Sequence, residues 1–387
     1  MPAVCLYFQL HQPYRLRRYS VFDTDRHYFD DFKNAEFLRQ IAGRCYLPAN
    51  QVLLELINQY NGQLKVAFSI SGVLLEQFEE HAPEVIASFK KLAGTGAVEF
   101  LNETYYHSLA FLYSRDEFKA QVEMHRQKIK ALFKEQTTVF RHTELIYNND
   151  LARAVADLGY AGCMAEGVDS VLAGRTPNAL YSPIGGAPVK LLLKNYRFSD
   201  DIAFRFTDHN WDQYPLTADK FAARVVKAEG PLVNLFMDYE TFGEHHKAET
   251  GILEFLRYLP IELFKAGATF VTPSQAIKQF EPAGQIDVPH FTSWADTERD
   301  LSAWLGNAMQ SNALHELYKL ESVIKARGDA NLLADWRKLG TSDHFYYMCT
   351  KYWADGQIHR YFSPYESPYD SYINFMNVLD NIQSRLR

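Results

Sequence analysis

Two spacings of apolar residues alternate along the chain. Short β-prone runs at positions 3–10, 64–70, 98–101, 138–141, 162–165, 189–193, 232–237 and 269–272 are separated by stretches in which apolar residues recur every three to four positions. Runs of the first kind read as strands and the others as helices, and their alternation predicts an α/β chain built on a parallel sheet. Helices are predicted at 47–60, where Val52, Leu53, Leu56 and Ile57 share a face, and up to residue 132 behind the capping pair Ser114 and Glu117. Two more are predicted at 217–228 and 252–265. Beyond about residue 285 the strand pattern stops. There, 297–326 reads as one long helix with apolar positions Leu301, Trp304, Leu305, Ala308, Met309 and Leu314, followed by helices at 332–339 and 369–386. The organisation expected is a β/α unit over 1–285 and a helical region over 286–387 packed against it, with no low-complexity linker between them.

The polar residues that follow the strand runs change the picture from architecture to chemistry. In parallel barrels and open α/β sheets the site is built just beyond the carboxyl ends of the strands. Here the first run leads into His11-Gln12-Pro13, the third into Asn102-Glu103, the fourth into His142-Thr143-Glu144, and 232–237 into Asp238-Tyr239-Glu240. Glu144 and Asp238, delivered by different strands, are the equipment that breaking a glycosidic bond requires: one carboxyl protonates the departing oxygen while the other meets the positive charge at the anomeric carbon. Taken singly, each is also readable as a surface or salt-bridged carboxylate. Glu240 lies two positions past Asp238, on the same face of an extended chain, where it can support Asp238 or form a plain ion pair.

Composition narrows the classes further. With 47% hydrophobic and 22% charged residues the chain has a globular balance, and a net charge of -7 gives no basic track for a phosphate backbone. Nucleic acid is not an expected partner. No stretch of about 18 apolar residues is present, and the order of apolar and basic residues after Met1 is the reverse of a secretory leader. Cys5, Cys45, Cys163 and Cys349 are widely spaced and form no CxxC pair, which fits a reducing cytoplasm better than a disulfide framework or a zinc knuckle. The 27 Phe, 24 Tyr and 5 Trp include rings able to stack on sugars, though most are expected to fill the core.

In order along the chain, five motifs resemble those of family 57 of the glycoside hydrolases, in its α-amylase-like branch. They are His11-Gln12-Pro13; Gly96 to Phe100 with Glu103-Thr104-Tyr105-Tyr106-His107; FRHTELIYNND from Phe140; FMDYETFGEHH from Phe236; and SWADTERDLSAWLGNAMQ from Ser293. The resemblance implies an incomplete (β/α)7 barrel followed by a helical region that closes part of the cleft. Of the eight strand runs one must then lie outside the barrel, and 189–193 is the expected outsider. The resemblance also puts Glu144 at the nucleophile position and Asp238 at the general acid/base position of a double displacement with retention, their carboxyls about 5 to 5.5 Å apart. His11 is expected to donate to a sugar hydroxyl, Glu99 to orient such a histidine, and Tyr105, Tyr106 and His107 to line the cleft. Trp294 is the expected sugar-stacking platform and Asp296 a contact to a substrate hydroxyl, while Glu298 favours the start of a helix and Trp304 belongs to the core. His142 stands where relatives more often carry Asn and is expected to tune the pocket.

The activity implied is hydrolysis of α-1,4-glucosidic bonds in maltooligosaccharides, starch or glycogen, with no cofactor and no catalytic metal. A 4-α-glucanotransferase would use the same two carboxylates, and a glucan-binding protein without catalysis would not need both. A metal-dependent deacetylase is the reading invited by His245-His246, but adjacent histidines seldom point the same way. Oligomeric state is not readable from the chain.

Overall fold

The computed structural model describes residues 1–351 and 356–386. Its ten strands are β1 (Ala3–Leu10), β2 (Val66–Ile70), β3 (Val98–Phe100), β4 (Val139–Arg141), β5 (Gly162–Glu166), β6 (Leu180–Pro183), β7 (Lys190–Lys194), β8 (Leu232–Asp238), β9 (Thr269–Phe270) and β10 (Gln285–Ile286). Parallel pairing runs β8-β1-β2-β3 on one side and β4-β5-β7 on the other. Two narrow joints complete the circuit. Asn102, just after β3, pairs with Phe140 of β4. After β7, the Asn195 N–H donates to the Asn234 carbonyl of β8 at 2.9 Å, and the Asn234 side-chain amide donates to the Leu193 carbonyl at 2.8 Å. The result is an incomplete (β/α)7 barrel with a helical carboxyl-terminal part.

The strand outside the circuit is not the one expected. Residues 189–193 fall almost wholly within β7, which is held between β5 and β8. The run at 269–272 supplies only β9, two residues paired beside the amino-terminal end of β1. Its brevity explains the misassignment, since a two-residue pairing carries too little pattern to distinguish it from a full strand. β6, not foreseen, folds back antiparallel on β7 and pairs with β10.

The strands are buried on both faces, as parallel strands covered by helices must be. Along β1 the alternation separates two cores. Val4, Leu6, Phe8 and Leu10 face outward and pack with Leu53, Leu56, Phe78, Phe89 and Leu259 of the surrounding helices. Ala3, Cys5 and Tyr7 face inward and meet Ala67, Leu101, Met164, Leu192 and Phe236 inside the barrel. Towards the carboxyl end this apolar filling gives way to polar groups: the Tyr7 hydroxyl donates to Gln9 at 2.7 Å, and Gln9 Nε2 donates to Glu103 at 3.1 Å. The interior is thus dry below and hydrogen-bonded above, where the site lies.

Past β10 the chain is helical. The long helix expected at 297–326 is three, Ser302–Leu305, Ala308–Lys319 and Glu321–Arg327. The break comes at Gly306-Asn307, where Asn307 caps the second helix and Gln310 returns a bond to the Asn307 N–H. Trp304, Leu314, Trp336, Phe345 and Phe375 form the core of this region and join Tyr105, Tyr106 and Ile146 from loops above the barrel. Its seating is also polar: the Ser342 N–H donates to the His107 carbonyl and the Thr341 hydroxyl to the Tyr106 carbonyl, both at 2.9 Å. Ser114 caps the helix Arg115–Phe133 as expected, but the Glu117 carboxylate binds Arg337 at 2.7 Å instead of closing a capping box. That buried pair ties the helical region to the barrel a second time. Among the described residues no helix is long and apolar enough to cross a membrane.

Candidate active site

A cavity of about 520 Å³ opens above the carboxyl ends of β1, β4 and β8, lined by Glu144, Asp238, His11, His107, Trp294 and Asp296 among others. Glu144 enters it on a one-turn 3-10 helix, Thr143–Leu145, with left-handed backbone at Glu144 (φ 57°) and Leu145 (φ 51°). For residues with a Cβ such conformations cost on the order of 1–3 kcal/mol each and persist only where surroundings enforce them. The surroundings here are specific. The Trp294 N–H donates to the Glu144 carbonyl at 3.1 Å, and the Leu145 N–H to the His142 carbonyl at 3.0 Å.

Every donor to the Glu144 carboxylate comes from elsewhere in the chain. Oε1 receives His107 Nε2 at 3.2 Å and the Ser342 hydroxyl at 3.0 Å, and Oε2 receives the Trp294 indole N–H at 2.8 Å. His107 in turn holds Glu103 through Nδ1 at 2.7 Å. Burial opposes charge in this row, but the hydrogen bonds win. Burial alone would lower the His107 value; its bonds to Glu103 and Glu144 raise it to about 9, so the ring is a cation donating from both nitrogens. Burial would likewise raise Glu103 and Glu144, yet the His107 bonds, reinforced by the charge of buried Arg141, hold Glu103 at about 2 and Glu144 below its ordinary value.

Asp238 sits at the end of β8 in a different environment. No group among the described residues donates to its carboxylate. Burial, and then the charge of Glu144, push it up to about 6 against the lowering pull of Arg141, Lys194 and His107. One cavity therefore presents a carboxylate biased to stay ionised and another biased to keep its proton. Glu240 is also pushed up, by burial and then by Asp238, and accepts from the Tyr46 hydroxyl and, at 3.4 Å, from the His11 N–H.

The other residues singled out in the sequence divide. His11 lines the cavity, but Nδ1 is bonded to Ser71 at 2.7 Å and Nε2 to Asp343 at 2.8 Å, and its ring stacks on His107 at 4.0 Å. Both nitrogens are engaged in holding the histidine pair. Trp294 lines the cavity as well, yet its indole N–H is committed to Glu144 and its ring lies against Arg141 (4.7 Å) and Lys194 (5.4 Å), which makes it a holder of the carboxylate more than a free platform. Asp296 accepts from Lys351 at 2.7 Å and from His359 at 2.9 Å, and Lys351 also takes Glu298. Trp304 is core.

Four residues expected at the cleft lie away from the cavity, among them Tyr106, which is buried in the core of the helical region. Glu99 points into the barrel lower down and accepts from the Ser274 N–H at 2.9 Å, at the start of the helix Pro273–Gln279; it orients no histidine. Tyr105 packs on Gly72, where a Cβ would meet its ring at 2.4 Å, and its hydroxyl donates to Glu76 at 2.8 Å. His142 is buried among Phe111, Phe118 and Phe140, because the alternation that turns Arg141 and Thr143 inward turns it outward. His245 faces the cavity, while His246 turns away to the Ala203 carbonyl at 3.0 Å. Glu103, Ser342 and Asp343 were not assigned roles from the sequence. Glu103 was visible as a strand-end acid four residues before His107, whereas Ser342 and Asp343 sit in a helix without a motif.

Glu103 offers a stability test of the histidine row. Its value falls from 4.5 to about 2 on folding, so its stabilisation is complete above about 4.5 and fades as pH falls towards 2. Glu103→Gln is expected to cost about 3–5 kcal/mol at pH 7 by leaving His107 a buried cation short of a partner. Urea denaturation at pH 7 and at pH 3 checks it: the gap between variant and parent should narrow at the lower pH, and equal midpoints at pH 7 would contradict the pairing.

Two carboxyls with opposed protonation preferences, lining one cavity at the carboxyl end of a parallel barrel, are compatible with a glycoside hydrolase class of site. The sequence profile described as "Glycosyl hydrolase family 57" matches residues 5–289. A protein described as "Putative alpha-amylase" from Methanocaldococcus jannaschii is 44% identical over 387 residues, covering 96% of this chain and 82% of its own length. The chain belongs to glycosyl hydrolase family 57. Among solved structures, a branching enzyme of that family from Thermococcus kodakaraensis matches with a TM-score of 0.71 at 14% identity, over 93% of this chain and 87% of its own. A 4-alpha-glucanotransferase from Thermococcus litoralis matches at 0.65 and 16% identity, over 89% of this chain and 56% of its own. At those identities the likeness concerns the fold.

Proposed function

We propose that this protein hydrolyses α-1,4-glucosidic bonds of maltooligosaccharides, starch or glycogen by double displacement, with Glu144 as nucleophile and Asp238 as general acid and then base. The observation that carries the reading is the asymmetry between the two carboxyls: three donors hold the Glu144 carboxylate, while Asp238 has none among the described residues and is pushed up to about 6. A nucleophile must be ionised when the sugar arrives, and an acid must hold its proton until the glycosidic oxygen departs. In the first step Glu144 bonds to the anomeric carbon as Asp238 gives its proton to the leaving oxygen. In the second, Asp238 takes a proton from water, whose oxygen displaces Glu144 on the same face from which the first sugar left. The designation of the 44% identical archaeal protein supports α-glucan as the substrate class. Residues 1–285 then form the catalytic barrel, and 286–387 a helical region completing the cleft through Trp294, Ser342 and Asp343. The four unpaired, buried cysteines suit a cytoplasmic setting.

Incubating the purified protein with maltoheptaose tests this. Shorter sugars alone, with the α-anomer appearing first by proton NMR, are the expected result. Products longer than the substrate would point to glucanotransfer, and first appearance of the β-anomer to inversion. No reaction with any α-glucan would remove the reading.

A further inference from the structure

The expected stacking platform, Trp294, is engaged in holding Glu144 and lies against two cations. A glucan still presents apolar ring faces that need covering, and the cavity has other aromatic groups to offer. Phe204 and Phe362 both line it, and both are open to solvent, with 55% and 40% of their surface exposed. Single open rings are common on protein surfaces, but here two line one cavity, and a phenylalanine can contribute only its faces and edges. The two come from separate parts of the chain. Phe204 follows the helix Tyr196–Ala203 after β7, and Phe362 ends the helix Gly356–Phe362 of the helical region. Phe362 meets the cavity residue His245 edge-on at 5.4 Å, which fixes it to the segment that follows Asp238. Glu144, Asp238 and Lys194 line the same cavity and are less exposed than either phenylalanine.

We propose that Phe204 and Phe362 form an aromatic clamp for sugar residues next to the pair cleaved between Glu144 and Asp238, so that the protein prefers oligosaccharides over disaccharides. This rests on the proposed α-glucan activity, and a binding measurement separates the two. In the full chain carrying Glu144→Gln, maltoheptaose affinity is measured by calorimetry with Phe204→Ala, Phe362→Ala and the pair added. Each single change is expected to weaken binding about 3- to 10-fold, the size of a lost stacking contact, with Trp at either position restoring it. In the otherwise unaltered enzyme the same changes should raise KM for maltoheptaose, leave kcat unchanged, and barely affect the shortest substrate cleaved. Unchanged affinity, or equal losses for short and long substrates, overturns the clamp, as does a shift in sedimentation with binding intact, which would make the rings a contact between copies. If the parent binds maltoheptaose through the clamp yet cleaves nothing, the activity fails and the clamp stands; absence of binding removes both.

Discussion

Glu144→Gln is expected to lower kcat on maltoheptaose by on the order of 10⁴-fold or more while leaving the protein folded. The substitution keeps the shape of the side chain and removes its charge, so no covalent glycosyl bond can form. It also turns an amide N–H₂ towards a site that holds only donors, His107 and Ser342 on one oxygen and Trp294 on the other. One of those donors must lose its acceptor, which adds about 1–3 kcal/mol of local cost without unfolding the chain. Thermal denaturation establishes the fold and chromatography of the products measures the rate; turnover near that of the parent would show that another group attacks the sugar.

The second large effect is expected at Asp238. With its value near 6, Asp238 keeps its proton below that pH and loses it above, so kcat/KM should fall as pH rises through about 6. At low pH the rate should fall again as Glu144, held below its ordinary 4.5, takes up a proton. Asp238→Asn is expected to remove the alkaline limb and cut kcat/KM on maltooligosaccharides by about 10²–10⁴-fold. An aryl glucoside, whose leaving group departs without help, should lose far less. pH–rate profiles of both proteins on both substrates check this, and an alkaline limb surviving in the variant would mean that it belongs to another group.

How much of this could be read from the chain differs from residue to residue. The strand-end acids were legible because parallel topology leaves few places for a run of polar residues directly after a buried strand, and Glu144 and Asp238 do share one cavity. The side to which each residue turns was legible too: the inward placement of Arg141 and outward placement of His142 follow from alternation, and motif resemblance alone misplaced the latter. The break at Gly306-Asn307 was written in the chain as an Asn followed three residues later by Gln, a capping pattern hidden inside an apolar periodicity. Glu99 and Tyr105 were misplaced because a motif records which residues occur together, but not how deep Glu99 sits along its three-residue strand or which way the loop after it turns Tyr105. Ser342 and Asp343 were beyond reach, since their roles arise only from how the helical region seats on the loops at Tyr106 and His107.

That seating has a temporal side. The partners of Glu144 stand 37, 150 and 198 residues downstream or upstream of it, at His107, Trp294 and Ser342. During synthesis the barrel strands emerge first, while two of the three donors to the Glu144 carboxylate, and the Trp294 N–H that holds its strained turn, are still unmade or inside the ribosome. The surroundings of Glu144 are thus completed only when the last quarter of the chain has docked, so the step that finishes the molecule is also the one that finishes the cavity.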